Sequence, residues 1–164
     1  MFAAALLVTT LALGASPPVG VLVMPIRTPG GETASLAEAI LPAFVAEASR
    51  VPGYAVVSFK DIEGALTAEQ LRQATACDST SCAAEIAGAL NSEEIILQDL
   101  ARIGSALSWT LTRIRARDAT VRARVYRRFT TREDAGVLLD AIPSIVTELL
   151  HASSRESAPA GSDA

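Results

Sequence analysis

The chain has 164 residues, half of them hydrophobic and only 4% aromatic, with a formal charge of −4. That length suits one domain whose core is mainly Ala, Val, Ile and Leu, and no repeat or composition break marks a second domain. The modest net charge hides a split: from Arg102 to Arg132 nine arginines stand against one acid, Asp118, giving +8, while the remainder of the chain carries −12. Asymmetry of this kind points to an anionic partner for the basic part.

The elements are predicted in chain order. Met1 to Ser16 is an uncharged apolar run ending in small residues, followed by Pro17-Pro18. It resembles the apolar region and cleavage zone of a secretory signal, so residues 1–18 are expected to be a signal peptide cut between Gly14 and Pro18. A positively charged start is missing, and a buried N-terminal strand or helix is the competing reading. The run is shorter than the ~20 apolar residues of a membrane span. No cysteine lies near the cleavage zone, so a lipid anchor there is not expected.

Val19 to Ile26 reads as a buried strand, and a loop with Pro29-Gly30-Gly31 follows. Leu36, Ile40, Phe44 and Ala48 recur at helical spacing, predicting a helix over about Thr33 to Ser49, bent at Pro42. Pro52-Gly53 separates it from a second strand, Tyr54 to Ser58. Such a βαβ unit favours parallel pairing through a right-handed crossover. Ser58 can cap one short helix, and Thr67 with Gln70 forms a capping box for another. A third spans about Ser81 to Leu90.

From Glu94 three strands follow, joined by turns at Ile103-Gly104-Ser105 and Arg117 to Thr120. Connections that short force antiparallel hairpins. Leu107, Trp109 and Leu111 share one face, opposite Ser108, Thr110 and Thr112. Val121, Ala123, Val125 and Phe129 alternate with Arg122, Arg124, Tyr126 and Arg128, which predicts one packed and one wet sheet face. Thr131 caps a last helix whose apolar stripe is Leu138, Ile142, Ile145 and Leu149, around Pro143. Residues 152–164 are small and polar and are expected to be disordered. The predicted fold is α/β (α+β), ordered β-α-β-α-α-β-β-β-α over residues 19–151. It has a mixed sheet of about five strands, helices packed on one face and arginines on the other.

Two constellations carry functional expectations. Cys77 and Cys82 lie between two helices with four residues between them, a spacing that can close a small disulfide in an oxidising compartment. Zinc lacks ligands, since His151 is the only histidine; a buried unpaired couple is the alternative if the chain is not exported. The second is the basic hairpin, with Arg113, Arg115, Arg117, Arg122, Arg124 and Arg128 as the candidate interaction surface. Guanidinium groups grip phosphate or carboxylate in pairs of hydrogen bonds, whereas a merely solvated sheet face and edge is the plain alternative. Nothing predicts nucleic-acid binding, because no aromatic platform of the RNA-binding kind is evident.

Catalytic parts are not found. His151 sits at the end of the last helix, where it complements the helix dipole. No phosphate-cradling glycine loop occurs, and Glu93 and Glu94 point to opposite faces on entering a strand. Trp109 reads as core. No cofactor or metal is expected, and the chain is not expected to be an enzyme.

With the elements placed, three segments resemble the TolB amino-terminal-like domains of the bacterial envelope. They are Val56-Val57-Ser58 with Asp61-Ile62-Glu63, Cys77-Asp78 with Cys82 to Leu90, and the strands turning at Gly104. The CsgG and LpoB group shares this broad architecture. Ala119 stands where such domains often carry glycine, and Arg115 where aspartate is common. The resemblance implies non-catalytic interaction or assembly-accessory work in the periplasm or at the outer membrane, without naming the partner. A structural subunit associating through sheet edges is the alternative, and self-association stays open.

Overall fold

The computed structural model describes residues 17–77, 79–130 and 135–151. Residues 1–16 of the expected signal peptide, the expected Thr131 cap and the tail at 152–164 lie outside the described residues. The strands are β1 (Val19–Arg27), β2 (Tyr54–Ser58), β3 (Glu94–Ile103), β4 (Ala106–Arg115) and β5 (Thr120–Phe129). The helices are α1 (Ala34–Ala48), α2 (Phe59–Ile62), α3 (Ala68–Thr75), α4 (Thr80–Ala89) and α5 (Ala135–His151). One sheet runs β2-β1-β3-β4-β5. The first three strands are parallel and the last two are added as antiparallel hairpins.

Local chemistry starts two of the helices as expected. The Ser58 side chain accepts from the Lys60 amide at 3.2 Å to open α2, and Thr67 and Gln70 form the capping box of α3. Ser79, not foreseen, caps α4 through the Cys82 amide. Asn91 ends α4 in a left-handed conformation, with the next amide, Ser92, donating back to the Ala87 carbonyl, a closure that asparagine tolerates better than most residues. Pro42 and Pro143 sit on exposed faces inside continuous helices, where water can reach the carbonyls they leave unbonded.

The expectation that helices cover one face is corrected. β2 lies on one side of β1 and β3 on the other, so the two crossovers run in opposite directions. Right-handed crossovers in opposite directions must lay their helices on opposite faces. Accordingly α1 and α5 cover one face, where Val21, Val23, Ile96, Leu100, Trp109 and Leu111 meet Ile40, Phe44, Leu138, Ile142 and Ile145. The Trp109 and Phe44 rings pack edge to face at 6.0 Å. On the second face Leu22, Met24, Ile95 and Ile114 pack against Phe59, Ala74, Ala83, Ala84 and Ala87. Small alanines there let α3 and α4 approach closely. These helices leave the β5 side of that second face open, with Arg124, Tyr126 and Arg128 exposed on it.

Candidate interaction surface

The six candidate arginines of the β4–β5 hairpin do not form one surface. Arg113 shares parity with Trp109 and Leu111, so its side chain enters the core side and is only 4% exposed. Its Nη1 donates to the Tyr54 hydroxyl at 2.9 Å and to the Leu150 carbonyl at 3.0 Å, and stands 3.3 Å from Glu94 Oε2. Tyr54 also donates to the Leu150 carbonyl, at 2.7 Å. This arginine therefore ties β2, β3 and the end of α5 together, and the assignment of Arg113 to a contact surface is corrected. A cation can be buried here because a carboxylate and two hydrogen-bond acceptors stand beside it.

Arg122 is also corrected. The β4–β5 register slips between Arg113 and Ile114, leaving Arg122 as the extra residue of a β-bulge beside Ala123. Such a bulge re-aims its side chain, and the Arg122 guanidinium turns to Glu94, 3.9 Å away, rather than lining up with Arg124 and Arg128. Arg115 is held in the turn, its guanidinium forking onto both oxygens of Asp118 at 2.9 and 2.6 Å. Those bonds, then the contact with Thr120, hold the Asp118 carboxyl well below the usual range, at about 2.

The remaining three, Arg117, Arg124 and Arg128, are exposed. Eleven arginines lie among the described residues, and eight of them stand within ion-pair distance of an acid. The three without one are Arg117, Arg124 and Arg128, and all belong to this hairpin. Arg127, on the opposite parity, reaches Glu148 of α5. The open face is completed by a residue that charge reading passed over. Tyr126, between Arg124 and Arg128, is 52% exposed. Its place in the alternation was the available signal. Behind them on β4, Ser108 and Thr112 are buried rather than wet, because the long arginine side chains of β5 stand opposite these short ones.

At the far corner Cys77 and Cys82 are joined by a disulfide that links the end of α3 to the first turn of α4. A groove of about 400 Å³ runs beside it, lined by Gln70, Gln73, Cys82, Glu85, Ile86 and Leu90. Among the described residues no group of three His, Cys, Asp or Glu side chains stands close enough to hold a metal ion, and no helix is long and apolar enough to cross a membrane. Trp109 is wholly buried, Glu94 is buried and Glu93 exposed, and His151 lies exposed at the end of α5.

No family model and no curated protein matches the chain. Solved structures do. The C-terminal domain of LpoB from Escherichia coli is 16% identical, with 73% of this chain covering 88% of that domain at a TM-score of 0.52. Lipoprotein GNA1162 from Neisseria meningitidis is 14% identical, covering 81% and 97% at 0.51. The PelC dodecamer from Paraburkholderia phytofirmans is 14% identical, covering 80% and 87% at 0.51. At such identities the likeness concerns architecture alone: the chain is an α/β domain with the fold of the LpoB C-terminal domain, GNA1162 and PelC.

Proposed function

We propose that this chain is a non-catalytic domain of the bacterial envelope, of the TolB amino-terminal and LpoB kind, that docks an anionic partner through the open face of β5. One observation carries the reading: the arginines lacking an acid partner among the described residues are confined to one hairpin, while each of the others stands beside an acid. A charge left unpaired on an uncovered face suits recognition better than stability, since arginine and tyrosine dominate the energetics of protein interfaces. The disulfide supports export to the periplasm or the outer-membrane surface, because such bonds persist mainly in oxidising compartments. The LpoB-like fold is consistent with accessory work in assembly.

A second reading is a structural subunit joined through sheet edges. It is favoured by two edge strands, β2 and β5, each paired on one side only among the described residues, and by the shared fold with the dodecameric PelC. Affinity capture from crosslinked envelopes separates the two. R124E/R128E should lose the captured partner, while K60E, an exposed charge change away from the hairpin, should keep it. Undiminished capture by R124E/R128E rules out the basic face.

A further inference from the structure

We propose that the outer edge of β5 receives an extended acidic segment of the partner protein as a sixth strand. The inference rests on the reading of the hairpin as the contact surface and adds the mode of binding and the chemistry of the ligand. β5 ends the sheet, so its outer peptide groups pair with no strand among the described residues. Such an edge is a template for strand addition. The bulge at Arg122 interrupts the register, leaving Ala123 to Phe129 as a regular run of seven residues. On its open face that run presents Arg124, Tyr126 and Arg128, all exposed.

The spacing selects the ligand. Alternate residues of a strand lie about 7 Å apart, so Arg124 and Arg128 are separated by about 13 Å. An added strand with acids at positions i and i+4 and a β-branched residue between them would place each acid beside an arginine and the apolar side chain beside Tyr126. In a helix the same i and i+4 side chains stand only about 6 Å apart and match the pair poorly.

A second copy of the chain fits badly at this edge. If β5 paired with itself about a two-fold axis at Tyr126, Arg124 would face Arg128. Shifted same-face registers set arginine opposite either arginine or tyrosine; like charges directly opposite destabilise a sheet, and none of these registers brings the arginines a carboxylate. The two-fold register is therefore disfavoured by charge, and a strand that brings carboxylates matches this edge better than a second copy does.

The test is an NMR titration of the folded, oxidised protein with the heptapeptide Thr-Glu-Thr-Val-Thr-Glu-Thr, which is symmetric and so reports either strand direction. The expected result is amide shifts concentrated on Ala123 to Phe129. Affinity should fall roughly tenfold or more with R124E/R128E, and by a similar factor when alternate peptide amides are N-methylated with the charges kept. R124Q/R128Q provides the milder variant should double reversal disturb folding, and should weaken binding in the same direction. Equal affinity for the N-methylated peptide overturns strand addition and leaves charge-mediated docking standing. So does absence of peptide binding while R124E/R128E still abolishes envelope capture. Concentration-dependent broadening confined to β5 in the free protein would identify a second copy as the occupant and also overturn the proposal. Loss of peptide binding in R124E/R128E with envelope capture unchanged would instead remove the docking reading on which it rests.

Discussion

Replacing Arg113 with methionine tests how the sheet tolerates a charge in its interior. Methionine keeps most of the side-chain stem but removes the donors to Tyr54 and Leu150, and strands Glu94, itself only 8% exposed, with Arg122 at 3.9 Å as its remaining cation. Breaking a buried pair by deleting one member costs about 3–5 kcal/mol, because the surviving charge stays desolvated. The two lost hydrogen bonds to a charged donor, at about 1.5–3 kcal/mol each, are of the same order. Tyr54 retains its own bond to the Leu150 carbonyl and Arg122 offsets part of the stranded charge, so about 3 kcal/mol is the expected loss. The R113M/E94L double variant removes the stranded carboxylate too. It should be more stable than the sum of the single losses implies, with a coupling of about 2 kcal/mol. Urea unfolding followed by far-ultraviolet circular dichroism measures all four corners of the cycle. A loss below about 1 kcal/mol for R113M, or additive single and double losses, would refute the reasoning and mark the cluster as solvated.

Three further outcomes follow from the structure. C77S/C82S should lower stability by roughly 2 kcal/mol, the chain-entropy value for so short a loop, and intact-mass measurement of material from the periplasm should show two hydrogens gained on reduction. Ala119 is held at a φ of 54°, which is costly for a residue with a Cβ. Ala119→Gly should therefore stabilise by about 1 kcal/mol and raise Tm by about 3–5 °C in a thermal scan. Asp118 has its folded pKa lowered to about 2, first by Arg115 and then by Thr120. A lowered carboxylate pKa contributes stability that is complete above the unfolded value and lost as pH falls through the folded one, so the turn should loosen between about pH 4 and 2. A carboxyl NMR titration should place the Asp118 midpoint at the low end of that window, and Arg115→Gln should move it upward.

Element order was legible because its signals are local: apolar alternation, Pro52-Gly53, the Ser58 cap and the Thr67–Gln70 box all concern neighbours in the chain. The distribution of helices between faces was not, since it depends on β3 inserting beside β1 opposite β2, a pairing between residues more than 60 positions apart. Arg113 was a different kind of miss. Its parity with Trp109 and Leu111 pointed inward, but charge suggested a surface position, and the partners that make burial tolerable, Tyr54, Glu94 and Leu150, come from three other elements. Arg122 could not be placed by alternation at all, because a bulge shifts parity without leaving a residue type that announces it.

The charge asymmetry read from the sequence consequently overstates the field the hairpin presents. Arg113 and Arg122 are committed to Glu94, Arg115 to Asp118 and Arg127 to Glu148. What remains on the exposed side is Arg124 and Arg128 flanking Tyr126, with Arg117 at the turn. A partner drawn by the whole basic segment would bind diffusely and respond steeply to salt. Recognition by two arginines a fixed distance apart, with an aromatic ring between them, would depend on the spacing of the partner's acids more than on their number. That difference is what makes an alternating peptide, rather than a generic polyanion, the informative ligand for this surface.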